Sequence, residues 1–237
     1  SLGLAFLHAR LNLIVISFFS SIPKDPLPIV HAWMEEARHK KTQPHPNAIT
    51  IASVDASGKP SARVVLIKDL SLKEGYIVFH THYGSRKSLE FVGNPWAAGV
   101  VHWDHLSRQI RFEGLITKSP DEESDAYFAT RDWRSQLNAW ASEQSQPISD
   151  YKQLLDRANK QAKKMNLPKL DSAGSDKDFS VQRPPFWGGF RMWFCSIEFW
   201  TAGSARFHER ILYKRSLKKG DNDDPAAGLW RYQRLQP

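Results

Sequence analysis

Two alternating, β-branched runs separated by one tight turn constrain this chain most. Asn47-Ala48-Ile49-Thr50-Ile51-Ala52-Ser53-Val54 and Ser61 to Asp69 flank Asp55-Ala56-Ser57-Gly58-Lys59-Pro60. A period of two with Asp, Gly and Pro between the runs predicts an antiparallel hairpin. The pattern recurs in Tyr76 to Thr81, Ala97 to Trp103, Gln109 to Thr117, Phe190 to Trp200, Arg206 to Arg215 and Leu229 to Leu235. Helical spacing is confined to insertions: Asp25 to Lys41, Ser85 to Val92, the stretch after Pro120, and Ser149 to Met165. Many short strands with inserted helices and no internal repeat predict a mainly β, α+β fold built on a closed or split antiparallel barrel.

Two segments stand apart. Residues 1–24 form an N-terminal arm of uncertain role, in which Arg10 precedes the apolar run Leu11 to Phe19. That run is too short to span a bilayer. It resembles the apolar stretch of an export signal, but is read here as a packing or chain-start segment, with no membrane partner expected. Residues 25–237 are expected to form one domain, and about 169–182, rich in Asp, Ser, Gly and Lys, reads as a mobile surface loop.

The charge of +8 favours anionic partners without choosing among them. Cys195 is the one cysteine, which excludes an intramolecular disulfide and fits a reducing, cytoplasmic setting; inside an apolar strand pattern it reads as a small hydrophobe. No Gly-x-Gly-x-x-Gly turn, Walker loop or His-Glu-x-x-His helix is present, which leaves Rossmann, nucleotide-hydrolase and zinc-protease readings without support. His102 and His105 have no further ligands at a diagnostic spacing, so no metal is expected.

Three basic clusters fall at predicted strand ends: Arg63 with Lys68, Arg86 with Lys87, and Arg206 with His208 and Arg210. Each alone reads most simply as surface charge. Together, with Thr81 and Ser85 as neutral donors, they suit a phosphorylated ligand. Phe186-Trp187-Gly188-Gly189-Phe190 and Phe199-Trp200 offer aromatic walls beside backbone open to close approach, where a planar ring is able to stack. A single-stranded nucleic acid would require exposed aromatics along a basic groove. The aromatics here fall mostly in apolar strand patterns, so no nucleic acid is expected.

Taken in order, Arg63-Val64-Val65-Leu66-Ile67-Lys68, Thr81-His82-Tyr83-Gly84-Ser85-Arg86-Lys87 and Arg108-Gln109-Ile110-Arg111-Phe112-Glu113-Gly114 resemble the pyridoxine 5′-phosphate oxidase family. So do Tyr127-Phe128-Ala129-Thr130-Arg131 with Ser135-Gln136, Ala139-Trp140-Ala141-Ser142 with Gln144-Ser145, Phe186 to Arg191, Ile197 to Trp200, Arg206 to Arg210, and the ending Arg234-Leu235-Gln236-Pro237. The resemblance implies a six-stranded split barrel forming a homodimer, with FMN in interfacial clefts and ligands from both subunits. FMN would meet Arg63, Val64, Lys68, Thr81, Arg86, Lys87, Gln109, Gln144, Ser145, Trp200 and Arg210. Lys68, Tyr127, Arg131 and Ser135 would hold the substrate phosphate, with Arg206 and His208 over the pyridine ring as the catalytic pair. The implied reaction is oxidation of pyridoxine or pyridoxamine 5′-phosphate to pyridoxal 5′-phosphate, with oxygen reoxidising the flavin and yielding hydrogen peroxide.

The chain departs from the family pattern at His80 and His82, at Asp132, which replaces a Pro and places negative charge beside the phosphate residues, and at Asn138. Arg10 is followed by Leu13 where a lid motif would have Tyr. Asn94 to Val100 and the Leu-Gln-Pro ending also resemble the phenazine-biosynthetic flavin oxidases, whose substrate has no phosphate for Lys68, Tyr127 and Arg131 to hold. A non-catalytic store of FMN or pyridoxal phosphate is the remaining reading.

Overall fold

The structure is a computed structural model and describes residues 21–170, 179–218, 220 and 224–237. The arm through residue 20, Arg10 and Leu13 included, and most of the loop at 169–182 lie outside the described residues.

Helix α1 (Leu27–Lys40) follows Asp25, whose carboxylate accepts from the Leu27 amide at 3.0 Å. Its stripe Leu27, Val30, Trp33, Met34 and Ala37 is buried at helical spacing, and Arg38, His39 and Lys40 occupy the last turn, where the helix dipole favours cations. Strands β1 (Ala48–Val54) and β2 (Pro60–Leu66) pair from Ala48 with Leu66 to Val54 with Pro60. The Asp55 carboxylate organises their turn, accepting from the amides of Ser57 and Lys59, and Gly58 supplies the positive φ of 82°.

Strand β2 ends at Leu66, short of the predicted Asp69, because after one last bond from Ile67 to the residue ahead of β1 the chain turns at Lys68 toward another strand. The Ile67 amide donates to the Asn47 carbonyl, and the Lys68 amide donates to the Val78 carbonyl at 2.8 Å. The short β3 (Asp69–Ser71) then pairs with β4 (Tyr76–His82). There follow α2 (Arg86–Gly93), β5 (Trp96–Trp103), β6 (Arg108–Lys118), α3 (Asp121–Ala129), α4 (Trp133–Ala141), α5 (Tyr151–Lys164) and β7 (Trp187–Thr201). Strands β8 (Glu209–Lys214), β9 (Leu217–Lys218), β10 (Ala226–Ala227) and β11 (Arg231–Leu235) complete the chain.

Among the described residues the fold is mainly β with five α-helices, and its curled antiparallel sheet runs β11-β8-β7-β6-β5-β1-β2, with β4 also on β7. The sheet has nine strands among the described residues, where six were expected. The three beyond six are β3 on β4, β8 on the far part of β7, and β11 on β8; the 15 residues of β7 take β4 on Trp187 to Trp193 and then β8 on Ser196 to Thr201 along one edge. The six longest strands run β2-β1-β5-β6-β7-β4, and no ladder joins β2 to β4. A register shift between Glu113 and Gly114 kinks β6; a Cβ on Gly114 would lie 1.9 Å from the Trp193 carbonyl oxygen.

Alternate residues of these strands, including Ile49, Ile51, Ile77, Phe79, Trp103, Ile110, Phe112, Phe194 and Phe199, fill one core with α1 packed into it. Trp33 meets Phe199 edge to face at 5.1 Å. Cys195 is half-buried and its thiol, which burial pushes up, donates to the Glu113 carbonyl at 3.3 Å. No helix among the described residues is long and apolar enough to cross a membrane.

The predicted strand from Arg206 begins later, at Glu209. Arg206 belongs instead to a single 3-10 turn, with Ala205 and Arg206 at φ 51° and 66°, because the chain must reverse between β7 and β8.

Candidate functional site

A cavity of about 800 Å³ opens between the unpaired edges of the sheet. Arg63, Val64 and Lys68 form one side, His80, Thr81, His82 and Trp187 another, and Tyr127, Arg131, Ser135, Gln144 and Ser145 the third; Arg86 and Lys87 enter from the start of α2. Five Lys or Arg side chains line it, against the single carboxylate of Asp132.

At one end the inward face of β1 changes from Ile49 and Ile51 to the buried Ser53. There Glu90, its side chain 5% exposed, gathers the surrounding donors. It accepts from Ser53, Ser61 and Arg86, the last at 2.8 Å, while Arg63 lies 3.2 Å from Oε2. Burial by itself would push this carboxyl up; the hydrogen bonds from Ser53, Ser61 and Arg86 and the charge of Arg63 outweigh it and hold it at about 2. Lys87 is buried, and its ammonium donates to Ser85 Oγ at 3.0 Å and Gln144 Oε1 at 3.1 Å. Desolvation, reinforced by Arg63, brings it down to about 8. Thr81 also donates to Gln144, and the Arg86 amide donates to Ser145 Oγ, so the segment after α4 is tied to β4 and α2. Two cations in the first turn of a helix with no acid there oppose its dipole. An anion at that point relieves the conflict.

At the other end Lys68 Nζ lies 5.4 Å from the Tyr127 ring, and the Arg131 guanidinium covers Trp187 at 4.5 Å. Arg131 leaves Nη1 buried without a hydrogen-bond partner, and burial pulls its pKa down. A half-buried guanidinium with an unused donor, sharing its surroundings at His80 with a second cation, is suited to accept an anion. Trp187 is held by Arg183, which donates to its carbonyl at 2.7 Å while pairing with Asp121 and Asp125 of α3.

Eleven of the expected residues therefore surround one cavity: Arg63, Val64, Lys68, Thr81, Arg86, Lys87, Tyr127, Arg131, Ser135, Gln144 and Ser145. Five stand elsewhere. Gln109 pairs with Trp200 across β6 and β7, and Trp200 with Arg210 across β7 and β8. Arg210 is held by Glu198 at 2.8 Å and by the Gln236 carbonyl. The His208 ring lies 4.7 Å from that of Trp200, and its Nδ1 accepts from the Gly203 amide, which leaves Nε2 to carry the proton when the ring is neutral. Arg206 is exposed. On β7, Trp200 stands about a dozen residues from Gly188, the partner of Thr81, or roughly 40 Å along the strand at about 3.3 Å per residue.

One expectation needs correction. The space over Gly188 and Gly189 is not open to a ligand ring: Tyr83 and Ser124 fill it at Gly188, Ser119 and His80 at Gly189. Asp132 lines the cavity and so stands beside the phosphate residues, and its carboxylate also caps α4, accepting from the Arg134 amide at 2.9 Å. Sequence reasoning missed Glu90 and the part taken by His80. Glu90 stands four residues after Arg86, the one local signal that the two pair.

Fold and cavity together define a mainly β protein with a cation-lined cleft at the open edges of a curled sheet. The sequence matches the family described as "Pyridoxamine 5′-phosphate oxidase" over residues 35–164, and the "Pyridoxine 5′-phosphate oxidase C-terminal dimerisation region" over residues 187–237. The chain belongs to this family. Among its relatives, the pyridoxine/pyridoxamine 5′-phosphate oxidase of Paraburkholderia phytofirmans is 40% identical and that of Jannaschia sp. 41%, covering 92% and 90% of this chain and 92% and 95% of theirs. Among solved structures, PhzG of Burkholderia lata 383, in complex with tetrahydrophenazine-1-carboxylic acid, is 25% identical with a TM-score of 0.75, over 92% of this chain and 96% of that one. A pyridoxamine 5′-phosphate oxidase-related, FMN binding protein of Nostoc punctiforme shares the fold at a TM-score of 0.64 and 14% identity, over 91% and 100% of the two chains.

Proposed function

We propose that this chain oxidises pyridoxine or pyridoxamine 5′-phosphate to pyridoxal 5′-phosphate, with FMN as cofactor and oxygen as electron acceptor, releasing hydrogen peroxide. The observation that carries the reading is a cavity lined by five cations, of which Arg63 and Arg86 meet at Glu90 with Lys87 on Gln144, while Lys68 and Arg131 both act on His80, a set suited to two phosphates. The unpartnered Arg131 Nη1 and the acid-free first turn of α2 fit phosphorylated groups. Arg63, Arg86 and Lys87 would hold the FMN phosphate, with Val64, Lys68, Thr81, Gln144 and Ser145 beside it. When bound, FMN supplies the electron acceptor for the substrate.

Lys68, Tyr127, Arg131 and Ser135 fix the substrate through its phosphate, so that orientation lowers the barrier. Gln109, Trp200, Arg206, His208 and Arg210 lie too far along β7 to join the same small ligands. They serve the cavity of a second subunit, with Arg206 and His208 over the substrate ring, and the working unit is a homodimer. Residues 25–237 act as one FMN-binding unit, with 1–24 as an arm. The single cysteine fits a cytoplasmic site of action.

The PhzG likeness favours a second reading, oxidation of a tricyclic aromatic acid by the same fold. The cluster Lys68, Tyr127 and Arg131 weighs against it, since such a substrate brings no phosphate to hold; a non-catalytic store of FMN or pyridoxal phosphate is the third. Anaerobic mixing of the FMN-loaded protein with pyridoxine 5′-phosphate tests the assignment. Bleaching of the flavin band, its return in air and formation of pyridoxal phosphate are expected. FMN binding without bleaching hands the site to one of the other two readings.

A further inference from the structure

His80 stands on β4 among the residues that line the cavity, and both of its ring nitrogens are buried without a hydrogen-bond partner. A neutral imidazole carries one N–H and one lone pair, so a donor and an acceptor are both left unused. Buried polar atoms are seldom left so, and such a pair calls for a partner that arrives with a ligand. Packing holds the ring in place: it stacks on Tyr127 at 4.1 Å and 22° and on Trp187 at 5.4 Å and 15°. On its far side a Cβ at Gly189 would lie 3.2 Å from Nε2, so this glycine makes room for the imidazole.

The charges acting on the ring are cationic and come from three other segments: Arg131 after α3, Lys68 between β2 and β3, and Arg183 ahead of β7. Arg183 is paired with Asp121 and Asp125, whereas Arg131 keeps its unused Nη1. The stacked ring of Tyr127 completes the surroundings. Burial, followed by these cations, pushes the ring down to about 4, so it is uncharged near neutral pH.

We propose that His80 is a further binding residue of this site: when a phosphate monoester occupies the Lys68-Arg131 end, one ring nitrogen engages it and the ring takes up a proton from solvent. The inference rests on the phosphate reading of the cavity given above. A dianion held by Lys68 and Arg131 cancels the positive potential that helps to keep the ring neutral, and the new N–H gains an acceptor. No bond beyond N–H is formed, and the proton returns to solvent when the ester leaves.

The test is calorimetric titration of the FMN-loaded protein with 4-deoxypyridoxine 5′-phosphate, which lacks the oxidisable group, at pH 6 in buffers of different ionisation enthalpy. The buffer dependence counts protons taken up, and His80→Gln, titrated alongside, subtracts those exchanged by the ligand phosphate itself. The unsubstituted protein is expected to take up about half to one proton more per site than the variant. In ¹⁵N-histidine spectra of the unsubstituted protein, one neutral ring should move to the imidazolium position on ligand addition. Equal proton counts in two proteins that both bind, with no ring changing state, overturn the proposal. Failure of both proteins to bind the analogue overturns the phosphate reading, and this inference with it.

Discussion

Glu90 Oε2 lies 3.2 Å from the guanidinium of Arg63 in a site where the carboxylate side chain is 5% exposed. Its folded-state value of about 2 lies below the ordinary 4.5. The stability it contributes is therefore present above pH 4.5 and lost as pH falls toward 2, and amounts to at most about 3 kcal/mol. Glu90→Gln should lower the urea midpoint at pH 7, with the gap from the parent closing between pH 4.5 and 2. A gap that does not change with pH contradicts this account.

Lys87, brought down to about 8, loses its charge as pH rises through that value. Affinity for FMN should weaken by about threefold or more between pH 7 and 9, while affinity for riboflavin, which has no phosphate, stays level. Lys87→Met should flatten the FMN profile. Fluorescence titration of both flavins across this range decides the matter, and parallel profiles for the two would count against a phosphate at Lys87.

Asp132 caps α4 while lining the cavity. Asp132→Ala should cost about 1 kcal/mol in thermal unfolding, and Asp132→Asn only a few tenths. Neither should change KM for a phosphorylated substrate more than about threefold. A large drop in KM for Asp132→Asn would restore the repulsion expected from sequence.

Gly189 leaves no room for a side chain, since a Cβ there would stand 2.5 Å from Ser119 Oγ and 2.8 Å from its Cβ. Gly189→Ala should destabilise the protein by about 1–3 kcal/mol, and Ser119→Gly in the same chain should recover much of that loss. Melting curves of the two single variants and the double variant give the coupling directly.

The elements were largely legible because their signals are local. The alternation of Ala48–Val54, the Asp55-to-Pro60 turn and the stripe from Leu27 to Ala37 each follow from a period or a turn residue that neighbouring positions supply. Of the residues facing the cavity, Arg63, Lys68, Thr81, Arg86 and Lys87 were legible as clustered donors suited to a phosphorylated ligand, whereas Val64, Tyr127, Arg131, Ser135, Gln144 and Ser145 were legible only through their family pattern.

Long-range pairing decided the rest. Lys68 left its predicted strand because its amide found Val78 on β4, and β7 gained two neighbours because it outlasts each of them. Arg206 fell in a turn rather than a strand because the chain had to reverse there. The room over Gly188 and Gly189 was taken by Tyr83, Ser119, Ser124 and His80, which come from distant segments. Glu90 became a buried anchor because Ser53, Ser61, Arg63 and Arg86 converge on it from two strands and a helix. By itself the sequence determined which segments form strands and helices, since those choices depend on residues within a turn or two. Which polar side chains share a buried space depends on register and packing between segments far apart in the chain, and the tertiary structure alone decided that.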